Sequence, residues 1–317
     1  MKNRFLSIAA TIATIATIGT AGTVSTVSTV STVGAVVTVA ALSALSAVVA
    51  LPAAAQFTPP QPSPGAKVSQ VVGASEVAVS YSRPSVKGRV IWGELVPWDK
   101  PWRAGANDAT TVSFSDEVLV DGQKLDAGTY SLGVTPGKES WTVAFGRDAS
   151  AVASYTWDDR LVALAVKVKP TSGENQESLR YSFENVTPDS AQLVLAWEKV
   201  RLSLALKFDT KAIALRKARA AAAAAKGDDW QTPLSVARWM SNEKLDGAEA
   251  LAWVDKSIAA KKTVGNTGWK ARILAQSGKT ADAIKVGEES VALAKADPAK
   301  PNTEALEKLI AEWKAKK

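Results

Sequence analysis

The chain has no cysteine and no histidine in 317 residues. Without cysteine it has no disulfide staple, no thiolate metal site, no cysteine nucleophile and no lipid attached at a leader-end cysteine. Without histidine it has no Ser-His-Asp triad, none of the common zinc sites and no default general base near neutral pH. Any catalysis would fall to carboxylates, lysine, tyrosine or serine. Tyrosine and phenylalanine are few, 4 and 6, against 11 tryptophans. Side chains that large are core by default. The formal charge is +7, and removing Lys2 and Arg4, the only charges before residue 56, lowers it to +5. No run of five or more basic residues occurs, so the concentrated patch of a nucleic-acid binder is missing.

The first 55 residues open with Lys2 and Arg4 and then run uncharged to Leu51-Pro52-Ala53-Ala54-Ala55. A basic start, an apolar body and a small-residue end describe a secretory signal peptide, cleaved after Ala55. Gly34 to Leu51 is also long enough to span a bilayer, so an uncleaved anchor is the alternative. Cleavage would leave an exported protein, periplasmic or extracellular, with no membrane span. Residues 56–63 read as a proline-rich linker.

From residue 64 to 209 short alternating runs are separated by turn residues. Lys67 to Val72, Glu76 to Tyr81, Thr110 to Phe114, Glu117 to Val120, Thr129 to Thr135 and Trp141 to Phe145 read as strands. Leu161 to Val168, Leu179 to Phe183, Ala191 to Trp197 and Val200 to Phe208 follow, and Asp121-Gly122 marks a hairpin. The pattern predicts an antiparallel all-β sandwich or jelly-roll-like domain.

Its centre is Tyr81 to Phe114, with three arginines, three tryptophans, three prolines and three glycines. Pro84 keeps Ser82-Arg83 extended, and Gly88 allows a sharp turn at Lys87-Gly88-Arg89. Pro97, Pro101 and Gly105 shape a long loop carrying Trp98, Trp102 and Arg103. Arg83, Arg89 and Arg103 would form a fork for a carboxylate, phosphate or sulfate. Asn107 would add an amide, and an exposed tryptophan would stack on a sugar or other planar group. The predicted ligand-binding set is therefore Arg83, Arg89, Trp98, Trp102, Arg103 and Asn107, for an anionic or sugar ligand. The competing reading is architectural: arginines serving loop carbonyls or pairing with Glu94, Asp99 or Asp108, and Asn107 capping a turn.

The motifs Pro64-x-Ala66, Tyr81 to Arg89, Trp102-Arg103-x-Gly105-Ala106-Asn107-x-Ala109-Thr110, Gly128 to Leu132, Phe183-x-Asn185-Val186 and Trp197-Glu198 occur in order. Over about residues 63–208 the chain thereby resembles the family called domain of unknown function 2911. That resemblance implies an exported bacterial β domain without an established activity, and it carries over no catalytic residue. A hydrolase acting on glycans is the alternative function, through acids such as Glu94 with Asp99 or Asp158 with Asp159. Adjacent Asp158 and Asp159 would face opposite ways on a strand, which spoils cooperation. No Asp-x-Asp-x-Asp-Gly calcium loop is present. The sequence assigns no catalytic residue, metal or cofactor.

At residue 210 the character changes. An alanine-rich helix over 210–229 would act as docking helix or semi-rigid spacer. Thr232-Pro233 then opens a helix with a cap and a first-turn proline. Residues 249–259 align with 282–292 at an offset of 33, and the preceding helices, Leu234 to Asn242 and Thr267 to Ala275, align at the same offset. Paired helices at that spacing predict a tetratricopeptide-like helical hairpin domain over 230–317, with Thr303 to Lys316 as a capping helix. Its function would be to hold a protein partner; a purely structural appendage is the alternative. Trp230, Trp239, Trp253, Trp269 and Trp313 fall at positions expected to be buried.

Overall fold

A computed structural model describes residues 59–148, 152–153 and 156–316. The expected leader lies outside the described residues. Among the described residues no helix is long and apolar enough to cross a membrane.

The chain forms antiparallel β sheets followed by helices. In chain order the strands are β1 (Gly65–Val72), β2 (Ser75–Ser82), β3 (Thr111–Phe114), β4 (Val118–Val120), β5 (Gln123–Leu125) and β6 (Gly128–Thr135). They continue with β7 (Trp141–Gly146), β8 (Val152–Ala153), β9 (Thr156–Trp157), β10 (Val162–Val168), β11 (Thr171–Glu184) and β12 (Ser190–Lys207). One sheet has the order β1-β2-β3-β6-β7-β10 and the other β11-β12-β4-β5, while β8 and β9 form a separate hairpin. Alternation decides the faces. In β2, Val77, Val79 and Tyr81 are buried while Glu76 and Ser80 are exposed. Inward residues of both large sheets join one continuous apolar core. Between β4 and β5, Asp121 and Gly122 both take positive φ, 47° and 80°, the geometry of a tight two-residue hairpin.

Two sequence expectations change here. The runs 191–197 and 200–208 belong, but for Phe208, to the single strand β12. Glu198 sits within it at φ 52°, where the register against β11 shifts. The polar-looking interruption is thus a bulge rather than a loop. Likewise the run 179–183 is only the end of β11, whose first half is too polar to read as a strand.

The alanine-rich segment is helix α1 (Thr210–Ala224), capped by Asp209, whose side chain accepts from the Ala212 N–H at 3.0 Å. It is a docking helix. Ile213 enters the β core, while Ala222, with half-buried Leu215 and Ala218, belongs to the core of the helices that follow. Those helices are α2 (Gln231–Asn242), α3 (Gly247–Ala260), α4 (Val264–Gln276), α5 (Thr280–Ala296) and α6 (Glu304–Ala315). From α2 to α4 the starts advance from 231 to 264, and from α3 to α5 from 247 to 280, 33 residues each. The α2 cap differs from expectation: Asp229, not Thr232, accepts from the Gln231 and Thr232 N–H groups at 3.1 and 3.0 Å. These bonds lower the Asp229 pKa. The five helical tryptophans are half-buried rather than buried.

Candidate functional site

The loop between β2 and β3 closes one end of the sandwich with tryptophan. Trp92 lies between Trp141 of one sheet, at a centroid distance of 4.6 Å, and Trp197 of the other, at 5.7 Å. Trp102 stacks on Trp197 at 5.6 Å and 21°. Trp102 also adds a bridge to β6, exchanging both backbone hydrogen bonds with Val134 at 2.7 Å. The indole N–H groups of Trp92 and Trp197 are buried without an acceptor among the described residues. An unpaired buried donor is costly.

On this aromatic floor the run Trp102 to Thr110 is held in an uncommon conformation. Ala104 and Asn107 have positive φ, 52° and 55°, as do Lys87 and Asp99 earlier in the same loop, 49° and 59°. Such residues persist only where their surroundings enforce them, and they gather at ligand clamps. Ala104 is fully buried, and its carbonyl accepts from Thr110 Oγ1 at 3.1 Å and from the Tyr181 hydroxyl at 2.8 Å. Burial, with the neighbouring Tyr81 adding to it, pushes the Tyr181 hydroxyl pKa well up, so this donor keeps its proton. Trp102 Nε1 donates to the Gly105 carbonyl at 3.0 Å. A Cβ at Gly105 would stand 2.5 Å from Thr110 Oγ1, so the position requires glycine.

Above the floor lies a cleft of about 280 Å³ lined by Arg89, Trp102, Arg103, Asn107 and Trp197, with Pro84, Leu95, Val96 and Pro101 among its other walls. Four of the six expected residues meet there. Arg83 does not: its Nε donates to the Leu179 carbonyl at 3.0 Å and ties the loop to β11. Trp98 is 42% exposed and packs edge-on against Trp141 at 6.4 Å, outside the cleft lining. Trp197, Leu95 and Val96 were not in the expected set. Only the Trp197-Glu198 motif hinted at the first.

Part of each cleft cation is architectural. Arg89 Nε donates to the Val86 carbonyl at 3.0 Å and its Nη2 to the Ser85 carbonyl at 2.5 Å. Arg103 Nη1 donates to the Asn107 carbonyl. Asn107 Nδ2 donates to the Ser63 carbonyl at 2.8 Å and lies 3.3 Å from Ser82 Oγ. A guanidinium carries five N–H donors, so two bonds at Arg89 and one at Arg103 leave donors over. Among the described residues neither arginine pairs with a carboxylate, and no acid lines the cleft. Glu94 and Asp99 are exposed and outside it. Asp158 caps a short 3-10 turn and pairs with Arg160 at 2.7 Å. Among the described residues no cluster of acids could hold a metal ion.

The molecule is thus an antiparallel β-sandwich with an arginine-rimmed cleft over tryptophan, carried next to a helical domain. Residues 63–206 match the family described as Protein of unknown function (DUF2911). The match lies within the β domain and spans every residue of the cleft. No curated protein matches the chain, and no solved structure does.

Proposed function

We propose that this is an exported, non-catalytic binding protein of the cell envelope, whose β domain holds a small anionic ligand. The carrying observation is the convergence of Arg89, Arg103 and Asn107 on one cleft without an acid in its lining. Two guanidinium groups without a carboxylate partner among the described residues, over a stacked indole pair, suit a carboxylate, sulfate or phosphate, on a planar or sugar-like body. The same lining speaks against the glycan hydrolase, which needs two carboxylates facing one bond. Export rests on the basic start, apolar body and Ala53-Ala54-Ala55 end of the first 55 residues. The helical domain, with its 33-residue spacing, is read as a tetratricopeptide-like module that holds a protein partner.

The test is a thermal-shift screen of acidic sugars, wall fragments and small oxoanions against the purified protein. A ligand at about 100 times its dissociation constant adds about 2.7 kcal/mol of stability. Arg103→Ala is expected to abolish that shift while moving the unliganded Tm by no more than a few degrees. A large fall in the unliganded Tm would show Arg103 to be architectural and sink the assignment.

A further inference from the structure

Four cations of the helical domain pair with carboxylates. Arg219 pairs with Glu249, Lys270 with Asp255, Lys314 with Glu288, and Lys262 with Glu289. Arg238 of α2 and Arg272 of α4 have no carboxylate partner among the described residues. Instead both guanidinium carbons stand over the same indole, Trp269, at 5.1 and 5.4 Å from its centroid. Two like charges on one aromatic ring repel, and Arg272 is half-buried as well. Burial, and then the charge of Arg238, hold the Arg272 pKa below its usual range.

The two helices are also bonded to each other. One turn further along, Ser241 of α2 donates to Gln276 of α4 at 2.6 Å. The contacts advance in the same sense on both helices, so α2 and α4 run parallel and hold the two arginines in fixed register. The Arg272 Nη1 also donates to the Gly268 carbonyl at 3.3 Å. Arg238, Trp269 and Arg272 line none of the larger cavities of the domain. A small molecule seeks an enclosed pocket; an open, doubly cationic face on two parallel helices suits an extended chain carrying successive carboxylates.

We propose that Arg238, Trp269 and Arg272 form a carboxylate-binding site through which the helical domain takes up an acidic segment of a partner protein. This site is separate from the β-domain cleft. It is tested with fluorescein-labelled hexaglutamate and the whole protein, by anisotropy at low and high salt. The expected result is salt-sensitive binding that Arg238→Gln/Arg272→Gln weakens by about tenfold or more. A loss of binding confined to Arg103→Ala would place the peptide in the β cleft and overturn the proposal. Because the substitutions relieve repulsion, the Tm of the single variant Arg238→Gln, at an exposed position, stays at or above that of the parent. Failure of the parent to bind hexaglutamate overturns the proposal, as does equal binding by the double variant. So does a loss of binding that tracks a fall in Tm of Arg238→Gln. A thermal shift by inorganic phosphate that Arg238→Gln/Arg272→Gln removes, with no peptide binding, would replace it with a small-oxoanion site.

Discussion

At the scale of single residues the β-domain cleft is a case of polar groups spent twice. Arg89, Arg103 and Asn107 hold loop carbonyls and still face the cleft, so architecture and binding are not exclusive readings of one side chain. What keeps them in place is the turn at Ala104-Gly105. Gly105 takes an ordinary φ, and what it supplies is space: an added methyl would meet the Thr110 hydroxyl at 2.5 Å. That hydroxyl cannot retreat without releasing the Ala104 carbonyl. Gly105→Ala is therefore expected to cost about 1 to 3 kcal/mol, as overpacking does, and to weaken any cleft ligand with it. Urea unfolding measures the first. A variant as stable as the parent would mean that Thr110 has somewhere to go and that the Ala104 conformation does not depend on it.

At the scale of elements, α1 decides how the two halves meet, and Asp116 is its anchor. Asp116, on the turn between β3 and β4, is 2% exposed and receives Arg216 Nη2 and Lys217 Nζ, both at 2.6 Å. Lys217 also donates to the Ala74 carbonyl at 2.6 Å. At the other end Lys256 of α3 donates to the Ala222 carbonyl at 2.7 Å, serving the open carbonyl end of α1. Burial alone would raise the Asp116 pKa, but hydrogen bonds from Lys217 and Ser115, with the charge of Lys217, outweigh it and lower the pKa. A folded-state pKa below the unfolded value means a contribution fully present above the ordinary carboxylate range. It is lost as pH falls through the lowered value. Asp116→Asn is expected to cost about 2 kcal/mol at neutral pH, the worth of hydrogen bonds to a charged group. The gap between variant and parent should begin to narrow below about pH 4 and close only once the pH has passed the lowered value, which chemical denaturation at several pH values would reveal. A gap that persists in acid would show that packing, not charge, seats the helix.

Sequence patterns recovered the elements better than their joints. Period-two alternation located most of the sandwich strands, and the 33-residue offset located the helix pairs, because those signals are local. The Glu198 bulge was hidden, since a polar residue inside a strand reads like a loop. The Asp229 cap was missed because Thr232-Pro233 carries the commoner signature. In the cleft, the loop and four of the lining residues were legible from their types. The role of Arg83 was not, because Leu179 is 96 positions away and only the folded sheet brings its carbonyl near. The pairing of Arg238 with Trp269 and Arg272 is likewise a matter of adjacent helices rather than of spacing in the chain.

At the scale of the whole molecule, a helix that belongs to two cores makes the two domains one cooperative unit. Ile213 is 5% exposed within the β core, and nine residues on, Ala222 is fully buried in the helical core. Neither core is complete without the same helix. Melting α1 would uncover apolar surface on both sides and break the Asp116 and Glu249 ion pairs together. The parent protein is therefore expected to unfold in a single transition, with tryptophan fluorescence, far-ultraviolet circular dichroism and calorimetry coinciding. Ile213→Ala removes the β-side anchor at a cost of about 2 to 5 kcal/mol, and Asp116→Asn releases the polar one. The double variant should split the transition, the helical domain melting apart from a β domain that keeps its tryptophan cluster. Two transitions already in the parent, with the double variant moving only one, would show that α1 merely rests against the sandwich. The cleft and the Arg238 face would then sit on bodies that fold separately, and binding at one would leave the stability of the other untouched. With a shared α1 the opposite is expected: a ligand that stabilises the β cleft raises the melting of the helices as well.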